Sequence, residues 1–225
     1  MSSVRILTTL LVGAMLAVLV AGISLYPMLH PTLTRLLVER YSSAQDAGIS
    51  EASMLATAEK VRQFVADSDV TDLPATVEGR PGFDAAAVSH LRDVGRVVSG
   101  ARTTTGVLAA VIVLWLAFEL SRRRFDRIAP ALFAGAAFCV VIVALGAVAG
   151  TMNFDSLFEW FHGLFFAPGT WQFPADSLLI QTFPEPFWST AAAVWAGLIL
   201  LGAAALAVAG ALVRGGVRGT SAESE

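Results

Sequence analysis

An all-α membrane protein with four transmembrane helices is the fold class this sequence predicts, both termini lying in the cytoplasm and two extracytoplasmic loops carrying short helices. Three observations predict it. Of the 225 residues 56% are hydrophobic and the mean hydropathy is +0.68, well above the balance of a water-soluble domain. Four segments, about 6–26, 103–120, 128–152 and 186–213, are apolar over the ~20 residues that a helix needs to cross a hydrocarbon core about 30 Å thick. The short stretches between and beyond them are asymmetric in charge. Arg122, Arg123, Arg124 and Arg127 crowd the turn between the second and third spans, Arg214 and Arg218 follow the fourth, and Arg5 precedes the first. Basic short loops stay in the cytoplasm. The chain is then one membrane domain, 1–225, with extracytoplasmic loops at 27–102 and 153–185.

Each element has its own warrant. The first segment could be read as a secretory signal, but its apolar run exceeds the usual ~7–15 residues of such a segment, so an uncleaved anchor is expected. No cysteine follows it, and the single cysteine, Cys139, lies midway along the third span, which rules out a disulfide within the chain. Pro27 and Pro31 end the first helix because proline lacks the amide donor and clashes with the preceding turn, with His30 as a junction residue between them. The stretch 50–65 then predicts an amphipathic helix, with Met54, Leu55, Ala58, Val61, Phe64 and Val65 on one stripe. A Pro-, Gly- and Asp-rich loop, 66–87, leads to Asp84, which can cap a helix that continues without a break into the second span. His90 is thereby mounted on a rigid rod.

The second outer loop has no Lys or Arg but contains Asp155, Glu159, Asp176 and Glu185, an acidity that suits the outer face. Asp155 is the expected N-cap of a short helix reaching about Phe166, ended by the Ala-Pro-Gly that follows. On it Phe158, Phe161, His162 and Phe165 recur at helical spacing, so His162 shares the aromatic face. Trp160, Trp171 and Trp188 fit the headgroup level of a membrane. The polar tail 219–225 is expected to be disordered. The net charge of −3 averages a basic inside and an acidic outside and gives no sign of nucleic-acid binding.

Chemistry concentrates in two local pairs, His90 with Asp93 and Glu159 with His162, each three residues apart and so on one helix face. A carboxylate can orient an imidazole and raise its basicity, while burial among aromatics disfavours the cation; together they leave a histidine able to take a proton near neutral pH. Plainer readings stay open, His162 as an interface anchor and His90–Asp93 as a solvated surface pair. The chain has no Gly-x-Ser-x-Gly elbow, His-Glu-x-x-His helix, phosphate-binding loop or cysteine cluster, so no cofactor and no metal is expected. The four paired residues could nonetheless hold a metal, as Glu-x-x-His pairs do in helical bundles, giving a metal-dependent membrane hydrolase as an alternative. A non-catalytic membrane scaffold is another.

Three stretches together, "HLRDV" ahead of the second span, "NFDSLFEWFHGLFFAPGTWQF" and "LLIQTFPEPFW", resemble the bacterial integral membrane family that includes lipoprotein intramolecular transacylase. The resemblance implies transfer of the sn-2 acyl chain of a diacylglyceryl-cysteine to the same residue's α-amino group at the outer membrane surface. It implies membrane lipid and diacylated lipoprotein as partners, and His90 and His162 as catalytic residues. Asp93 and Glu159 would orient the two rings, and Phe158, Phe161, Phe165, Phe166, Trp171 and Phe173 would line a groove for acyl chains. One departure is Gly95, where the family pattern leads one to expect a basic residue; Arg96 follows it. The reaction suits the residues. An α-amino group of pKa about 7.7–8.0 must lose a proton before it attacks an ester, and a neutral imidazole can take it. The resulting oxyanion needs a donor, either the second imidazole or an indole N–H. We assign the base to His162 and the oxyanion or leaving-group role to His90, with the exchange of roles left open.

Overall fold

Long apolar runs must become helices in a bilayer, because only a helix satisfies every backbone hydrogen bond within one segment. The computed structural model describes residues 3–67 and 72–222 and follows this rule. In chain order the elements are α1 (Ser3–Ile23), α2 (Leu25–Met28), α3 (Pro31–Tyr41), α4 (Glu51–Ala66), β1 (Thr76–Val77), β2 (Arg80–Pro81), α5 (Ala85–Ser121), α6 (Phe125–Met152), α7 (Phe154–Phe165), α8 (Leu178–Thr182) and α9 (Glu185–Ala222). Among the described residues four stretches are long and apolar enough to cross a membrane: Ser3–Met28, Ala85–Ser121, Phe125–Met152 and Glu185–Gly215. The chain divides into two compact units, one made of 1–24, 102–148 and 195–225, the other of 25–101 and 149–194.

The first unit is held together by small residues where helices cross, the usual device where lipid removes the hydrophobic drive between helices. A Cβ at Gly13 of α1 would lie 2.7 Å from the Ala134 Cβ and 3.1 Å from the Gly135 amide nitrogen of α6. A Cβ at Gly22 would lie 2.0 Å from the Thr105 hydroxyl of α5. Helix α1 therefore presses its backbone against two neighbours, and it also accepts a hydrogen bond from the Trp195 indole of α9 at the Ala21 carbonyl, 3.1 Å away. Val12, Leu16, Ile112, Ile128 and Leu132 fill the space between, and Cys139 is buried beside Ala17, Ala136, Ile199 and Ala203 as a small apolar side chain. Helix α5 closes with paired bonds from the Arg123 amide to the Leu120 carbonyl and from the Arg124 amide to the Glu119 carbonyl, with Arg123 left-handed at φ 53°.

The second unit is a water-style core. Leu37 and Val38 of α3, Met54, Ala58 and Val61 of α4, Ala87 and Leu91 of α5, Leu178 and Leu179 of α8, with Phe83, Phe183 and Phe187, form one buried cluster. The expected stripe on α4 is thus the packed face, although Leu55, Phe64 and Val65 are only half buried. Helix α4 is capped by Ser50, whose hydroxyl accepts the Ser53 amide, and Glu78 accepts bonds from the Ser50 amide (2.9 Å) and both serine hydroxyls (2.5 Å each). Asp84 accepts the Ala87 amide at 2.8 Å, as the capping reading required, and α5 then runs unbroken from Ala85. Gly95 lies where α5 meets the end of α4: a Cβ there would be 3.5 Å from the Val65 carbonyl. That is an ordinary van der Waals contact, so the packing at this point does not demand glycine.

Several expectations are corrected. Pro31 does not simply break the chain; it opens α3 at its first turn, where its missing N–H costs nothing, and the His30 Nδ1 accepts the Thr32 amide as the cap. The loop 66–87 contains a two-stranded hairpin turned by Glu78 and Gly79 at φ 49° and 83°, while 68–71 lie outside the described residues. The cap of α7 is Asn153, which accepts the Ser156 amide at 2.9 Å; Asp155 sits inside the first turn, where its charge suits the helix dipole. Finally, α9 continues to Ala222, through the start of the tail expected to be disordered, and 223–225 lie outside the described residues.

Candidate functional site

His90 enters the site from the second turn of α5, ahead of the apolar stretch that begins near Thr103. Leu91 beside it belongs to the buried cluster, so the helix is seated by its core face while His90 is 8% exposed. Its Nδ1 is fully buried without a hydrogen-bond partner, which leaves Nε2 as the nitrogen able to meet a ligand. His162 comes from the third turn of α7 and is half buried. Its Nδ1 lies 2.8 Å from the Phe158 carbonyl one turn back. A carbonyl only accepts, so this contact makes Nδ1 the protonated nitrogen and leaves the Nε2 lone pair free.

The two rings face one another, centroids 6.3 Å apart and planes 28° from parallel. Aromatic side chains close around them. Phe166 touches both, at 4.9 Å from His90 and 5.6 Å from His162. Phe173 lies 5.6 Å from His90; Phe158, Trp171 and Phe161 lie 3.9, 4.7 and 5.7 Å from His162. Phe165 meets Phe161 and Phe166 rather than an imidazole. The loop that carries Trp171 and Phe173 is fixed from behind. The Arg80 guanidinium donates to the Ala47 carbonyl, to Gln181 Oε1 at 2.7 Å and to the Asp176 carbonyl at 2.8 Å, and the Ser42 hydroxyl donates to the Thr182 carbonyl at 2.8 Å.

This shell sets the proton affinities. Burial lowers the His90 pKa to about 4, the neighbouring His162 adds to the fall, and Asp93 opposes it. Burial also lowers His162, against the opposing effect of the Phe158 carbonyl. Both shifts favour the neutral imidazole. Neutral imidazoles can accept a proton or donate a hydrogen bond, as acyl-transfer chemistry demands.

The carboxylates behave differently from the expected pairing. Asp93 makes its ion pair with Arg96, three residues further along α5, and reaches His90 only through its charge. Glu159 is exposed, and the position beside His162 Nδ1 that it was expected to fill belongs to the Phe158 carbonyl. Helical spacing does put that carbonyl within reach, since a side chain at i lies over the turn holding i−4. Among the described residues no three His, Cys, Asp or Glu side chains gather into a group able to hold a metal ion.

The chain matches the family model described as lipoprotein intramolecular transacylase Lit over residues 8–188. A relative from Aquifex aeolicus (strain VF5), described as an uncharacterized protein, is 30% identical over 110 residues, 49% of this chain and 48% of that protein. The chain thus spans about half the length of the curated relative it matches. The solved structure of the membrane integral lipoprotein intramolecular transacylase Lit from Bacillus cereus superposes with a TM-score of 0.80 at 15% identity, covering 97% of this chain and 99% of that one. A histidine-substituted form of the same Bacillus cereus protein gives 0.77 at 15% identity, over 96% and 95%. At such identity these two likenesses establish the shared fold.

Proposed function

The chain belongs to the lipoprotein intramolecular transacylase family, and from that premise we propose that it moves the sn-2 acyl chain of a diacylglyceryl-cysteine onto the α-amino group of the same cysteine. The product is an N-acyl, S-monoacylglyceryl lipoprotein, and the site works on the extracytoplasmic side with both termini in the cytoplasm. The observation that carries this reading is the pair of imidazoles 6.3 Å apart within an aromatic shell. No serine or cysteine nucleophile is needed, because donor ester and acceptor amine belong to one molecule. Holding them in a reactive conformer contributes much of the rate.

The roles follow from the ring nitrogens. The α-ammonium first releases one proton to solvent. His162 Nε2, the free lone pair of a ring oriented by the Phe158 carbonyl, takes a second proton as the amine nitrogen bonds to the sn-2 carbonyl carbon. His90 Nε2–H donates to the developing oxyanion. The C–O bond to the glyceryl oxygen then breaks, and the His162 imidazolium returns its proton to that oxygen. Ester and amine become amide and free sn-2 hydroxyl, with both histidines back in their starting state. The orienting task once expected of Glu159 falls to the Phe158 backbone. Phe158, Phe161, Phe165, Phe166, Trp171 and Phe173 line the path of the acyl chains. The test is mass spectrometry of lipoprotein N-termini in cells expressing the chain. N-acyl, S-monoacylglyceryl cysteine should appear with the native protein and vanish with His90→Ala and with His162→Ala. If both variants kept forming it, the two histidines would not be the catalytic groups.

A further inference from the structure

An oxyanion site with one donor is incomplete by the usual chemistry, where two or more fixed donors share the charge. His90 Nε2–H supplies one. The His162 Nδ1–H is already given to the Phe158 carbonyl. Among the described residues five aromatic side chains are in ring contact with the two imidazoles, namely Phe158, Phe161, Phe166, Phe173 and Trp171. Only tryptophan among them has a polar group.

The Trp171 ring lies 4.7 Å from His162, tilted by 33°, and is half buried. The indole N–H of Trp188 is taken by the Phe183 carbonyl at 3.0 Å and that of Trp195 by the Ala21 carbonyl at 3.1 Å. Among the described residues Trp171 has no such acceptor. The ring is held against the proposed base, and its N–H is not among the buried polar atoms sealed in the fold, so the donor is open to a ligand.

We infer that the Trp171 indole N–H is the second oxyanion donor, bonding the sn-2 carbonyl oxygen as it becomes tetrahedral. This rests on the transacylase reading and adds a catalytic residue to it. Because the bond strengthens only as charge develops, its loss should lower kcat and leave KM unchanged. The experiment uses purified full-length protein and a diacylated lipopeptide, with Trp171→Phe and, separately, benzothienylalanine in place of Trp171. The latter keeps the ring size and shape and removes only the donor. Both should lower kcat by about 10²- to 10³-fold, the usual cost of one oxyanion donor. Trp160→Phe, at an exposed tryptophan outside the ring contacts with the imidazoles, should not change it. Full kcat in the benzothienylalanine protein, or a defect confined to KM, would overturn the assignment. An active native protein with unaffected variants removes this inference alone; a native protein that makes no lyso product removes the transacylase reading with it.

Discussion

His90 and His162 are the same side chain in two different mountings. The first rides a long helix seated in the core, almost fully buried, with one ring nitrogen sealed off and unpaired. The second sits on a twelve-residue helix, half buried, its ring turned by a backbone carbonyl. Burial lowers both, yet only His162 has a hydrogen bond that supports the extra proton. A ring built this way suits proton transfer, and a sealed, poorly basic ring suits a neutral hydrogen-bond donor. The difference teaches that a pair of catalytic-looking histidines need not share a job.

The widest effect should come from removing the proton carrier. His162→Gln is expected to cut single-turnover acyl transfer by about 10²- to 10⁴-fold, the usual span for a general base. His90→Ala should cost about 10²- to 10³-fold, and His90→Gln should recover part of that because its amide can still donate. The same recovery at position 162 would erase the distinction between the two mountings.

Titration sharpens the comparison at a smaller scale. Since His162 is lowered by burial, the acid limb of the kcat profile should fall below pH 6.5, the ordinary histidine value. A limb above 6.5 would mean that the base is not this residue. His90 affects stability as well. With its folded pKa lowered to about 4 from 6.5, the folded state binds fewer protons than the unfolded one between those values. Its contribution is therefore complete above pH 6.5 and is lost as pH falls towards 4. Thermal unfolding across that window should show this slope in the native protein and a flatter one in His90→Gln.

The smallest effects belong to the carboxylates. Glu159→Gln should leave turnover within about twofold, as for other exposed charges. Asp93→Asn should act modestly, by removing the one charge that opposes the fall in the His90 pKa. A large loss in Glu159→Gln would restore the carboxylate as the group that orients His162.

How much of this could be read from residues alone varies along the chain. The spans were legible because length and apolarity suffice, and the unbroken α5 was legible because Asp84 followed by alanines is a strong start signal. Helix α3 was not, because Pro31 reads equally as a breaker or as a first-turn residue, and only the His30 cap decides. The hairpin at 76–81 has two residues in each strand, too few for any period to show. Both histidines and their aromatic neighbours were legible from spacing and motif; their partners were not. Asp93 has His90 three residues before it and Arg96 three residues after, and spacing cannot say that a full cation outcompetes a neutral ring. That a backbone carbonyl would hold His162 leaves no trace in side-chain identity.

The central claim is an acyl transfer confined to one molecule and managed by two neutral imidazoles. It is tested most directly by an isotope crossover: lipopeptide bearing a ¹³C-labelled sn-2 chain and a mass-tagged peptide is mixed with unlabelled, untagged lipopeptide and the purified protein. The account predicts that every labelled N-acyl chain stays on a tagged peptide. Labelled chains on untagged peptides, or label retained on the protein, would show an intermolecular or acyl-enzyme route and contradict it.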